Sequence, residues 1–222
     1  MQSLKDKSFA PLLLRIFPAF LLVIMIAVSQ SVQASIHIPV GASFSLGDGS
    51  LNLGCRDLTV DGVMNGDRGT LNLRHLVIGA SGNLYGGDSL IELAGNWTKN
   101  GSFNSGSGMV VLTDGCGVNT AIVSGQNTFY KLNITSSGGK AFQFPSGSTQ
   151  TISNRLFVQG AVDNHLVLSS SANTPAVFAI NGEQDIEYAD TLGVEIPEAP
   201  PEDEPSNGLP VWLLWHAIEN RE

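Results

Sequence analysis

The sequence is short of the residues from which most active sites and long helices are built. Charged residues make up 14% of the 222-residue chain and aromatic residues 7%. Lys and Glu are scarce up to residue 182, so long helices lack their usual formers. No G-x-S-x-G marks a nucleophile on a strand-to-helix turn, and no Cys/His group has zinc spacing. Glycine-rich stretches such as 101–108 carry no Lys and no strand–loop–helix context, so they read as turns and not as phosphate cradles. No motif asks for a cofactor. Basic residues are few as well. Without residues 1–34 the chain has 8 basic and 19 acidic residues, a formal charge of −11. That excludes nucleic acid and anionic membrane as expected partners, because both require a basic surface.

Long apolar runs are also missing. The run Ile16–Val28, broken at Pro18, is shorter than the roughly 18 to 20 residues a bilayer span needs. Lys5, Lys7 and Arg15 precede it, and Ser31-Val32-Gln33-Ala34 supplies small residues at a cleavage site. Residues 1–34 therefore read as a secretory signal cut after Ala34, and the mature chain is not expected to be an integral membrane protein. Only two cysteines are present, Cys55 and Cys116. A disulfide is the default in an exported protein. The repeat described next puts them about three coils apart, on the order of 14 Å, against a usable Cα separation below about 7 Å. The expectation is two unpaired cysteines, unless the segment Asp114–Asn119 folds back.

What the chain does contain is a period. Leu51, Leu71, Ile91 and Val110 form one column and Leu53, Leu73, Leu93 and Leu112 the next, at steps of 19 or 20. Met64, Leu84 and Phe103 form a third, each two residues after a glycine (Gly62, Gly82, Gly101). A fixed period in this range marks a solenoid whose units stack. Strand alternation puts the paired apolar residues inward and Asn52, Asn72 and Glu92 outward. Trp97 and Phe103 sit at core phase; Tyr85 is the third member of a candidate aromatic strip for stacking on sugars. Beyond Leu112 the step lengthens: Leu132, Ile134, Phe142 and Phe144 map onto Leu156, Val158, Leu166 and Leu168 at 24, and a further step of 22 reaches Phe178 and Ile180. The fold expected is all-β, a single-stranded parallel β-helix of about six coils. Residues 35–50 form its first strand or a cap on its open end.

Composition then changes. Nine acidic residues fall between Glu183 and Glu204, with Pro197, Pro200, Pro201 and Pro205 nearby. The organisation expected is a signal (1–34), a β-solenoid (35–190), an acidic Pro-rich linker (191–208) and a short apolar segment (209–222). Trp212, Leu213, Trp215 and Ile218 make that last segment a cap or a sorting signal, too short to span a membrane.

The run Leu93-Ala-Gly-Asn-Trp-Thr-Lys-Asn-Gly-Ser-Phe103, then Gly108-Met-Val-Val-Leu112 and Ile122-Val-Ser-Gly-Gln-Asn-Thr-Phe-Tyr-Lys-Leu-Asn-Ile134, resembles a repeat of bacterial secreted and cell-surface proteins. The resemblance covers about residues 57–190. It implies a right-handed parallel β-helix, secreted or surface exposed, with an adhesin-like or matrix-like role. The chain departs from that pattern after Asp190.

Candidate chemistry is sparse. Asp57, His75 and Asn96 each precede an apolar strand residue, with Arg56 and Arg74 before the first two, so stacked coils would make them neighbours. One carboxylate is a poor Ca²⁺ site and provides no acid/base pair. Asp67 and Asp88 occupy similar turns one coil apart and are weak metal candidates for a shared Ca²⁺. Turn aspartates that bond their own backbone are commoner. No catalytic residue is assigned. The expected role is a non-enzymatic surface, adhesion or matrix component, with a polysaccharide or another surface protein as partner. The alternatives are a carbohydrate-active β-helix enzyme (a polysaccharide lyase or hydrolase), or a truncated copy of a longer surface repeat protein.

Overall fold

The computed structural model describes residues 35–198. The expected signal, the linker beyond residue 198 and the apolar segment 209–222 lie outside the described residues. Among the described residues there is no helix, hence none long and apolar enough to cross a membrane.

The first four coils have three short strands each. They are β1 (Ile36–Ile38), β2 (Ser43–Ser45) and β3 (Ser50–Asn52); β4 (Leu58–Val60), β5 (Val63–Asn65) and β6 (Thr70–Leu73); β7 (Leu76–Ile78), β8 (Asn83–Tyr85) and β9 (Leu90–Leu93); and β10 (Trp97–Lys99), β11 (Ser102–Asn104) and β12 (Met109–Leu112). Later coils have fewer, longer strands: β13 (Thr120–Ser124), β14 (Thr128–Thr135), β15 (Ala141–Phe144), β16 (Thr149–Gln159), β17 (Leu166–Ser170) and β18 (Ala176–Ile180). The last turn adds β19 (Glu183–Glu187), β20 (Ala189–Leu192) and β21 (Val194–Glu195). All strand pairings are parallel, and the chain stacks as a β-solenoid of about 7 turns. The first sheet begins β1-β4-β7-β10-β13, the second is β2-β5-β8-β11, and the third begins β3-β6-β9-β12-β14-β16.

The early columns fall where the period put them. Leu51 pairs with Leu71, Leu71 with Ile91 and Ile91 with Val110. Met64, Leu84 and Phe103 are in register on the second sheet. Each coil thus buries its apolar residues only against the coils on either side. Close stacking dictates glycine at the corners: a Cβ on Gly82 would run into the Val60 carbonyl oxygen one coil earlier. Trp97 is fully buried, 4.8 Å edge-on from Phe103 and 5.5 Å from Phe129, whereas Tyr85 is exposed. Residues 35–52 form the first coil, with all three strands. Among the described residues its outer end borders an apolar cavity of about 270 Å³ lined by Ile36, Pro39, Phe44, Leu51 and Met64.

Three expectations need correcting. Cys55 and Cys116 are bonded, with Cα atoms 5.3 Å apart. The coil spacing is as expected, but the corner after β12 is long. Gly115, Cys116 and Gly117 all adopt positive φ (131°, 53° and 67°), which turns the segment back along the edge of the solenoid. The later register is also different. Leu132 and Ile134 pair with Leu156 and Val158 as expected, but Phe142 pairs with Leu168. Phe178 and Ile180 pair with Gln150 and Ile152, and Leu156 and Val158 are followed by Gln184 and Ile186. Extra corner residues around Val162 and Asn173 lengthen these steps, and Val162 is exposed and takes no core position. Finally, strand pairing runs on to Glu195, with Val194 buried, so the first residues of the expected linker belong to the solenoid.

Candidate functional site

Polar chemistry collects along one edge, where the third sheet turns into the first. The corners there are short in the second and third coils. Backbone bonds from Leu58 N–H to the His75 carbonyl and from Leu76 N–H to the Asn96 carbonyl stack Asp57, His75 and Asn96 one above another. The expected column therefore exists, and each of its side chains already has a hydrogen-bond partner. Arg74 donates both arms of its guanidinium to Asp57, at 2.8 and 2.9 Å. This bidentate pair holds the Asp57 carboxyl below the usual carboxylate range. The Asn96 backbone N–H donates to His75 Nδ1 at 2.7 Å, which assigns the neutral imidazole's proton to Nε2. Burial lowers the His75 pKa, against the pull of Asp57. The Asn96 side-chain oxygen accepts from the Ile122 N–H at 2.9 Å.

The folded-back segment crosses this edge. A Cβ on Gly115 would touch that of Ala94, two corners from Cys55. Beneath it lies Lys140, 4% exposed, whose ammonium donates to the carbonyl oxygens of Ala94 and Thr113. Desolvation lowers its pKa, and Asp114 opposes that shift. Asp114 in turn accepts from the Ser137 and Gly138 N–H groups at 2.8 and 3.0 Å. For Asp114 desolvation acts upward, yet hydrogen bonds from Ser136, Gly138 and Ser137 outweigh it and the pKa is lowered. A cavity of about 280 Å³ lies between this corner and the next, bordered by Asp114, Val118, Asn119 and Lys140.

Asp67 and Asp88 do lie in adjacent turns, where Asp88 N–H donates to the Asp67 carbonyl at 2.5 Å. The Asp67 carboxylate accepts from the Ser45 hydroxyl and the Gly47 N–H, and Asp88 accepts from the Ser107 hydroxyl. Arg68 pairs with Asp48 beside them, at 2.7 and 3.1 Å. Among the described residues no three His, Cys, Asp or Glu side chains converge as metal ligands.

Sequence reasoning missed Asp114, Lys140 and the cation pair Lys131 and Arg155. Lys140 gives no local signal, because its partners are carbonyls 27 and 46 residues earlier. Lys131 and Arg155 were within reach: the offset of 24 that relates Leu132 to Leu156 also relates them. Comparison with protein-family models, curated proteins and solved structures finds no match to this chain.

Proposed function

We propose that this chain is an exported, non-enzymatic β-solenoid that serves as a bacterial cell-surface, adhesion or matrix component. The observation that carries the reading is how the ionisable groups of the corner edge are used. Asp57 faces Arg74, His75 faces a backbone N–H and Lys140 faces two carbonyls. A general acid and base must instead be within reach of a substrate proton. Such groups hold coils together. The stacking also produces long lateral faces whose outward columns, such as Asn52-Asn72-Glu92, repeat a polar surface along the solenoid. Repeated surfaces suit repeated ligands, so the expected partner is a polysaccharide or another surface protein. Export and surface location follow from the signal-like residues 1–34 and from the resemblance to bacterial surface repeats.

The test is to present residues 35–222 to an array of polysaccharides and assay binding and cleavage on the same glycans. Binding without turnover is expected. Turnover would replace this reading with a lyase or hydrolase, and Asp57, His75, Asp67 and Asp88 would be the first residues to substitute. Absence of any glycan binding would move the role to a protein partner, or to a truncated copy of a longer surface protein.

A further inference from the structure

We infer that the outer face of the third sheet carries a groove for a carboxylate-bearing glycan, centred on Lys131 and Arg155. The inference rests on the non-enzymatic reading above and names its ligand class and site.

The register carries the argument. Strands β14 and β16 pair Lys131 with Arg155 and Asn133 with Phe157. Neighbours in such a ladder are about 4.8 Å apart, and like charges side by side destabilise a sheet. A fold with few cations has placed two of them together on one open face, with Glu183 next to Arg155 in the same ladder. The other cations described are engaged elsewhere: Arg68 with Asp48, Arg74 with Asp57, Lys99 with the Gln126 carbonyl and Lys140 with two carbonyls. Arg56, on the corner edge, is the exception. Lys131 makes no ion pair among the described residues, and Arg155 reaches Asp185 only at 3.6 Å, with both side chains nearly half exposed.

A groove of about 470 Å³ lies over the pair, bordered by Met109, Lys131, Asn133, Asn154, Arg155 and Phe157. This set suits an acidic sugar. Two cations meet a carboxylate, two side-chain amides meet hydroxyls, and Phe157 and Met109 meet the C–H face of the ring. The Arg155 guanidinium sits 5.6 Å from the Phe157 ring centroid, so cation and aromatic surface form one patch. Overall negative charge does not oppose this. Between residues 35 and 182 seven Lys/Arg face eight Asp/Glu, and the acidic surplus begins at Glu183. Charges beyond about 8 Å are largely screened at physiological salt, whereas Glu183 and Asp185 lie beside Arg155 and act on the groove directly. Glu183 closes one end of the groove and directs an acidic chain toward Lys131 and Met109.

The test immobilises polygalacturonate, its methyl ester and dextran sulfate and measures binding of residues 35–222. The acid form is expected to bind best, and more weakly as salt rises. The double variant Lys131→Gln/Arg155→Gln should weaken that binding roughly tenfold. In the wild-type protein, polygalacturonate should shield Lys131 from acetylation while Lys99 still reacts, a readout that stands even if the variant does not fold. An undiminished variant or an unshielded Lys131 overturns the inference. Equal binding of the methyl ester overturns it too but leaves the adhesion reading intact, and preference for dextran sulfate overturns the carboxylate assignment. Cleavage of the glycan with Lys131 shielded would keep the groove and remove the non-enzymatic reading.

Discussion

Between Ile36 and Leu112 each coil is three short strands, and the third sheet advances by 19 or 20 residues per coil. Beyond Thr120 the second sheet ends. Strands β14 and β16 run through its place, and the steps lengthen to as many as 28. The early coils are held by sameness: apolar columns at a nearly constant step, glycines where backbones meet and a mostly aliphatic core. The later coils have irregular corners and use specific contacts. Trp97 Nε1 donates to Asn127, and Asn127 donates to Gln150, at 2.9 and 2.8 Å, within a buried network. Phe144 and Phe178 meet edge-on at 4.8 Å. Regularity needs little information per coil but tolerates no Cβ where two backbones meet, as at Gly82. Irregularity requires a satisfied polar network wherever the ladder is interrupted.

The sharpest way to break this contrast is at the junction. Trp97→Ala should cost about 4 kcal/mol, because it leaves a large cavity and removes the Asn127 bond. Hydrogen exchange should then report faster opening on both sides of β10. Next comes the Cys55–Cys116 link, with a sequence separation of 61. By loop-closure entropy its removal costs about 4 kcal/mol. Cys55→Ser/Cys116→Ser should lower the urea midpoint and speed exchange in β4 to β12, leaving β16 and β18 little changed. Equal loss across the chain would show that the two regions open as one unit.

Gly82→Ala is expected to cost about 2 kcal/mol by forcing the corner against the Val60 carbonyl. The smallest effect is acidification. The His75 pKa is lowered by burial, so the unfolded chain binds the proton first, and stability should fall as pH drops below about 6.5. Asp57 and Asp114 also have lowered values, so they add a further loss as pH falls through about 4 and below. Both carboxylates are partly exposed, so screening keeps each near 1 kcal/mol or less. Thermal melts of wild type and His75→Asn between pH 7 and pH 3 should diverge only over the upper part of that range.

The regular half was legible because its signal is local and repeated. Leu51 to Leu112 advertises its columns at nearly constant step, and the column Asp57-His75-Asn96 follows from the same phase. The irregular half was legible only along β14 and β16, where Leu132 and Leu156 keep their offset. Corner residues around Val162 and Asn173 change the register without adding core positions, so Phe178 was matched to Leu156 and not to Gln150 of the same strand. Cys116 illustrates the same limit. Spacing sets where a coil lies, but the direction of a long corner depends on three consecutive left-handed residues. Lys140 is harder still, because carbonyl partners leave no mark in a sequence.

The folded-back corner also has a mechanical consequence. A chain tethered at one end and pulled at the other transmits force through its shortest covalent route. Here that route jumps from Cys55 to Cys116, so most of the regular coils hang outside the line of tension. They would stay folded while the first coil and the later coils give way. Reduction would put the bypassed segment, a separation of 61 residues, back under load and release about 200 Å of extra length. In a force-extension trace that length should appear only after the thiols are reduced.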